Sequence, residues 1–341
     1  MKTLTPHAAP VLVTPGLLLL CRYSSSLATP PVKEPIRSNI LLTKILTQEE
    51  SKKQNDEEFI THPMFKHPEF TDAECEGIHY EHRTPKTLGD RIAFRGIQTL
   101  RLTYDLVTGY KNVSSDAELE KLKGTRWEMT DNKWLTRVIF LESVAGVPGM
   151  VAAFIRHLHS LRLMKRDKAW IETLLDEAYN ERMHLLTFIK IGRPSLLTRA
   201  LLKIGQGVFA NIFFFLYIVN PRYCHRFVGY LEEEAVSTYT HLAHELTIPG
   251  KLPELEKVKL PEIATTYWWE LKEDSSFRDL ILRIRADEAK HREVNHTLAN
   301  LNQKTERNPF AMKDSRFDDP QPDYTLKNTR GTGWERLDLH L

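Results

Sequence analysis

The apolar positions of this chain repeat at helical spacing through most of its length. Ala93, Ile97, Leu100, Tyr104 and Val107 step by four and three and predict a helix from Leu88 to about Val107, with Arg91, Arg95 and Arg101 off the stripe. Such a helix is either an ordinary core-facing element or a basic amphipathic one lying on a membrane surface. A second helix is expected from Trp134 to about Leu163, where the apolar run Val138 to Ile155 is broken by Glu142. A third runs from Lys168 to about Ile191, its acidic positions Asp176, Glu177 and Glu181 flanked by Leu174, Leu175, Leu185 and Leu186. The segment from Ile204 to Pro221 has no charged residue and approaches bilayer-spanning length. After Pro221, further helices are expected from Tyr223 to about Leu246, around Ile263 (with Tyr267, Trp268 and Trp269), and from Ser276 to about Leu301. The fold class that follows is all-α.

Around this helical block lie segments of other character. Residues 1–33 contain no Asp or Glu, carry Lys2, Arg22 and Lys33, and include Ser24, Ser25 and Ser26; they read as a mitochondrial transit peptide, with a secretory signal as the alternative. Residues 34–87 are polar and read as an extended N-terminal arm, 88–302 as the helical bundle domain, and 303–341 as a polar C-terminal tail. The formal net charge of +2 over 341 residues gives no reason to expect a nucleic-acid partner. Three scattered cysteines, Cys21, Cys75 and Cys224, form neither a disulfide framework nor a zinc motif.

Chemistry enters with a duplicated spacing. Glu181-Arg182-Met183-His184 and Glu288-Ala289-Lys290-His291 each place a carboxylate and an imidazole one helical turn apart on one face. Glu142 and Glu232 are carboxylates on two further apolar helices. Two helices giving Glu and two giving Glu-x-x-His is the ligand set of ferritin-like dinuclear carboxylate bundles. Mixed carboxylate and imidazole ligation without thiolate suits iron or manganese. Glu232, Val236 and Tyr239 share a stripe, so Tyr239 faces inward with Glu232, either as a redox partner or as a hydrogen-bonded core tyrosine. Asn180 and Asp287 precede the ligand glutamates and are candidates to hydrogen-bond the ligands from outside. The same ligand set bears on the uncharged segment. A single crossing there would put Glu181 and His184 on one side of a bilayer and Glu232 on the other. Gly205, Gln206, Gly207, Asn211 and Asn220 also argue against spanning. The segment is therefore expected to lie in the interface plane with Phe209, Ile212, Phe213 and Leu216 in lipid, or else to be a buried core helix.

Four ordered motifs resemble the alternative oxidases, the mitochondrial di-iron ubiquinol oxidases: Leu141-Glu142-Ser143, Asn180 to Leu185, Leu231 to Ala235, and Arg285 to Ala289 with His291. The similarity covers roughly residues 85 to 300 and includes Cys224 to Tyr230. It implies a ferritin-like four-helix bundle with two iron ions held by Glu142, Glu181, His184, Glu232, Glu288 and His291, plus amphipathic membrane-surface helices. It further implies a homodimer on the matrix face of the mitochondrial inner membrane that reduces O₂ to water with ubiquinol, without proton pumping and insensitive to cyanide. Tyr239 resembles the family's redox-active tyrosine, and Arg137 and Thr238 match positions lining its quinol pocket. Lys290 stands where the family usually has His, while His291 preserves the ligand spacing. Plant members carry a regulatory cysteine in the arm, and the arm of this chain contains Cys75. Competing readings are a plastid-type plastoquinol oxidase and a di-iron hydroxylase or iron-handling bundle.

Overall fold

The computed structural model describes residues 42–54, 61–113, 115–312 and 319–341; the transit-peptide reading of 1–33 and Cys21 lie outside them. The described residues are all-α apart from one pair of two-residue strands. Six long helices carry it: α1 (Leu88–Thr108), α2 (Asp131–Leu163), α3 (Trp170–Ile191), α4 (Leu196–Val219), α5 (Pro221–Glu245) and α6 (Phe277–Leu298). Their ends follow local chemistry. Thr87 with Asp90 and Ser276 with Asp279 form capping boxes that satisfy the first free N–H groups of α1 and α6. Pro221 sits in the first turn of α5, where its missing N–H costs nothing, and the Asn220 side chain caps the same turn. That pair is why the long apolar stretch divides into α4 and α5. The segment around Ile263 is a single wide turn, Ile263–Tyr267.

Helices α2 with α3 and α5 with α6 form two tightly packed pairs that join as a four-helix bundle, with α1 lying on α5 and α4 on α2. The approach of α2 to α3 depends on two small residues. A Cβ on Gly149 would fall 2.6 Å from the Leu174 carbonyl oxygen, and one on Gly146 would fall 3.3 Å from Glu181 Cβ. Glycine there lets α2 come close enough to deliver Glu142 beside Glu181.

The two outer helices depart from their expected faces. On α1, Ala93 and Ile97 are buried, but Leu100 and Val107 are 56% and 73% exposed, alongside exposed Leu88, Ile92, Leu102 and Leu106. On α4, the row Phe209, Phe213 and Tyr217 turns toward the protein, so Phe213, expected in lipid, is buried. Ile212 and Leu216 are exposed as expected, joined by Ile204, Val208, Phe215 and Ile218. The reading of α4 as a buried core helix fails, because only Thr198, Phe213 and Tyr217 of its residues are buried. Both α2 and α4 are long and apolar enough to cross a membrane by length and composition, but half of α2's apolar window is buried inside the bundle.

The described parts of the flanking segments are docked. In the arm, Lys44–Ile45 pairs antiparallel with Gly192–Arg193. Phe70 and Cys75 enter the main core, where Arg283 Nη1 donates to Cys75 Sγ at 3.1 Å and Arg285 Nη2 to the Cys75 carbonyl at 2.8 Å. In the C-terminal segment Trp334 is buried against α6, its Nε1 donating to Glu293 Oε1 at 2.6 Å and its N–H to Thr297 Oγ1 at 2.9 Å.

Candidate metal centre

Each of the four bundle helices sends one carboxylate into the same buried space: Glu142 from α2, Glu181 from α3, Glu232 from α5 and Glu288 from α6. The Glu-x-x-His spacing adds His184 beside Glu181 and His291 beside Glu288. The six side chains form two overlapping clusters, Glu142–Glu181–His184–Glu288 and Glu181–Glu232–Glu288–His291, with the ligand atoms in each within 4.8 Å of one another. Glu181 and Glu288 belong to both, which is the arrangement of two bridging carboxylates between two sites. His184 Nδ1 lies 3.2 Å from Glu142 Oε2, 3.6 Å from Glu181 Oε2 and 3.3 Å from Glu288 Oε1. His291 Nδ1 lies 2.7 Å from Glu181 Oε1 and 3.5 Å from Glu288 Oε2.

Burying four carboxylates together is costly unless something cationic meets them. The electrostatics register the strain. Burial and the neighbouring Glu181 and Glu288 push the Glu142 carboxyl far above its ordinary range. Burial, Glu288 and Glu181 do the same to Glu232. Burial also pushes Glu181 up, but the imidazoles of His184 and His291 outweigh it and hold Glu181 low. Burial opposes protonation of His184, yet its contacts with Asp287 and the three glutamates keep the proton on.

The residues fit a pair of divalent cations on two observations. Both oxygens of Glu181, Glu288 Oε2 and His291 Nδ1 are buried without a hydrogen-bond partner of good geometry, so the close His291–Glu181 approach is not a hydrogen bond. Native proteins rarely leave such atoms orphaned. Moreover, two divalent charges balance four carboxylates when both imidazoles are neutral. His184 is already oriented for that role: its Nε2–H donates to Asp287 Oδ2 at 3.1 Å, leaving Nδ1 to face the glutamates.

The sequence-predicted partners divide. Asp287 takes the expected outer position, accepting from His184, from Trp269 Nε1 at 2.9 Å and from His67 Nε2 at 2.8 Å. Burial opposes ionisation of Asp287, but His67 and His184 hold its carboxyl well below the usual range. Asn180 is buried, but its Oδ1 has no partner and touches none of the ligands by hydrogen bond. Tyr239 is buried and donates its hydroxyl to Glu142 Oε1. Burial and the charge of Glu142 push its phenol far up, so it stays protonated.

Arg137, on α2 before Glu142, and Thr238, beside Tyr239 on α5, are both buried. Arg137 pairs with Asp105 at 2.6 Å and stacks its guanidinium on Tyr110 at 3.8 Å, while Thr238 Oγ1 donates to its own helix at Glu234 O. Two residues that the sequence reading gave no role touch this network. Trp269 was visible only as part of an aromatic cluster. His67 sits in the arm, 220 positions from Asp287, and no periodicity marks it. Lys290 is buried and donates to Glu293 Oε2 at 2.6 Å, away from the cage.

Comparison with known proteins agrees with this geometry. A family model described as Alternative oxidase matches residues 70–300. The chain is 64% identical over 299 residues to Alternative oxidase 2, mitochondrial, of Candida albicans, covering 88% of this chain and 82% of that protein. It is 61% identical over 317 residues to Alternative oxidase, mitochondrial, of Scheffersomyces stipitis, covering 92% and 88%. It is 50% identical over 285 residues to Alternative oxidase, mitochondrial, of Yarrowia lipolytica, covering 83% and 78%.

Proposed function

We infer from one established fact, that this chain belongs to the alternative oxidase family, that it is a mitochondrial ubiquinol oxidase with a di-iron centre. The overall reaction takes two ubiquinols and one O₂ to two ubiquinones and two waters, with four electrons and four protons passing from quinol to oxygen. The observation that carries the reading is the pair of clusters sharing Glu181 and Glu288. Glu142 and His184 would complete one iron site, Glu232 and His291 the other. What bound iron supplies there is redox chemistry, a store of electrons that can be handed to dioxygen.

The chain's own residues account for the rest. Asp287, held by Trp269 and His67, fixes the orientation and tautomer of His184. Tyr239 is hydrogen-bonded to Glu142, which supports a role in giving a proton and an electron to the reacting oxygen from within the core. Arg137 and Thr238 flank that tyrosine on the side from which we expect quinol to approach.

Membrane placement follows from the same site. Cage residues before and after α4 meet in one cluster, so α4 cannot be a single bilayer crossing. Its exposed apolar face, with that of α1, suits attachment in the interface plane. This supports monotopic attachment, and the family resemblance implies the matrix face of the inner membrane. With the cage on one side of the bilayer, electron transfer is expected to move no protons across it, as the family resemblance implies. That the activity is insensitive to cyanide is what the family resemblance implies. We further propose that the enzyme is a homodimer, as the family resemblance implies.

Oxygen uptake by membranes containing the chain, driven by a short-chain ubiquinol with cyanide present, tests the reading. Uptake that is lost with Glu232→Ala is expected. Iron-loaded protein without uptake overturns the quinol oxidase while leaving the metal cage.

A further inference from the structure

Between α2, α3, α4 and the strand Lys44–Ile45 lies a cleft of about 850 Å³. Its floor is apolar, built by Ile139, Leu185, Ile189 and Leu202. Its rim is cationic, carrying Lys44, Arg193, Arg199 and Lys203. The one acid there, Glu50, is already engaged, accepting from Lys44 Nζ at 3.1 Å and from the Thr47 N–H at 3.0 Å. The side chains of Arg193, Arg199 and Lys203 are exposed and have no ion-pair partner among the described residues. The same turns of α4 expose Leu197, Leu201 and Ile204.

We propose that this cleft binds one anionic phospholipid, an acyl chain along the floor and the phosphate held by the rim. The inference rests on the interfacial membrane placement argued above. Charge selects the occupant. A quinol is a neutral diol and has no use for three unpaired cations, whereas a phosphodiester is recognised by Arg and Lys clusters at the membrane surface. A free phosphate would leave the apolar floor wet. The volume lies within the range of single-ligand pockets, enough for one chain while the other remains in the bilayer. The cleft is also distinct from the buried surroundings of Arg137 and Thr238, neither of which lines it.

The test is flotation of the full, iron-loaded chain with vesicles of phosphatidylcholine alone or mixed with phosphatidylglycerol. Three proteins are compared: wild type; the triple variant Arg193→Gln, Arg199→Gln, Lys203→Gln; and a charge-matched control, Arg91→Gln, Arg95→Gln, Arg162→Gln, altered outside the cleft. The anionic lipid is expected to raise wild-type affinity by about fivefold per engaged cation, on the order of a hundredfold for three. The cleft variant should lose that gain while keeping iron and neutral-vesicle binding, and the control should lose much less. Leu202→Trp, which fills the floor and keeps every charge, should also lose the gain.

Equal losses in the two triple variants would reduce the effect to diffuse surface charge and overturn the site. A raised KM for quinol in the cleft variant, without change in lipid selectivity, would overturn it in favour of quinol. Displacement of the lipid by inorganic phosphate at matched ionic strength would overturn the acyl-chain part. Failure of the wild type to float with any vesicle would overturn the membrane placement as well, and so is distinguishable from loss of anionic selectivity alone.

Discussion

Replacing Glu181 by Gln tests the bridging geometry directly. The side chain keeps its volume and loses its charge. Glu181 and Glu288 are shared by both clusters, whereas Glu142 and Glu232 each belong to one. A shared ligand predicts a distinctive stoichiometry: Glu181→Gln should lose both irons, while Glu142→Gln or Glu232→Gln should retain about one per chain. Two effects on stability accompany this. Without metal, the buried imidazole of His291, 2.7 Å from Glu181 Oε1, loses its anionic neighbour, and breaking a buried charge pair costs about 3–5 kcal/mol. With metal, iron present at a thousandfold excess over its Kd adds about 4 kcal/mol to the folded state. Chelation separates the two, because only the second depends on iron. Elemental analysis with thermal denaturation, each with and without chelator, is the assay. The wild type should lose Tm on chelation, and Glu181→Gln should start lower and not respond. A Glu181→Gln protein that still holds two irons per chain refutes the bridging role, and a wild type indifferent to chelation refutes the metal cage.

Tyr239→Phe removes only the hydroxyl that donates to Glu142; iron content should be unchanged while quinol oxidation falls roughly 10²-fold or more, as measured by oxygen uptake, and retained turnover would make Tyr239 a core tyrosine. Burial pushes the Cys75 thiol up to about 11, so maleimide should label it only after denaturation; native labelling at the rate of a free thiol would refute its burial. Burial depresses His225 to about 4, below the ordinary histidine value near 6.5. The unfolded chain therefore binds more protons than the folded one between these values. The resulting stability is complete above about pH 6.5 and declines as pH falls toward 4, by about 3 kcal/mol in all. His225→Gln should flatten that part of the stability–pH curve in denaturant titrations, and an unchanged slope counts against the buried neutral imidazole. Trp334→Ala strips a buried indole and its hydrogen bond to Glu293; a loss of about 3–5 kcal/mol in denaturant unfolding is expected, and a loss below 1 kcal/mol would mean the C-terminal segment does not hold α6.

The cage was legible in the sequence for a geometric reason. A carboxylate and an imidazole three residues apart must share a helix face, and Glu232 was separable from Glu233 and Glu234 because it alone lies in register with Val236 and Tyr239. In the structure Glu233 points elsewhere, to the Arg83 N–H and to His82 and His296. The same rule failed on α4 because the helix is apolar all round. Periodicity cannot say which of two apolar faces meets protein, and the row containing Phe213 met it. Contacts made across sequence left no local signal at all. His67 reaches Asp287 from a Pro-containing arm without helical period, and the anchoring of the C-terminal segment rests on Trp334 in a polar stretch. A lone tryptophan among polar residues is itself a cue, since an indole that size is seldom left in water. A histidine beside proline is not. The cage thus follows from within-helix spacing, while the groups that orient it from outside come from segments whose positions only the folded chain determines. Arg137 illustrates the same limit: family resemblance matched it to a position lining the quinol pocket, but only packing reveals that Asp105 and Tyr110 engage its guanidinium.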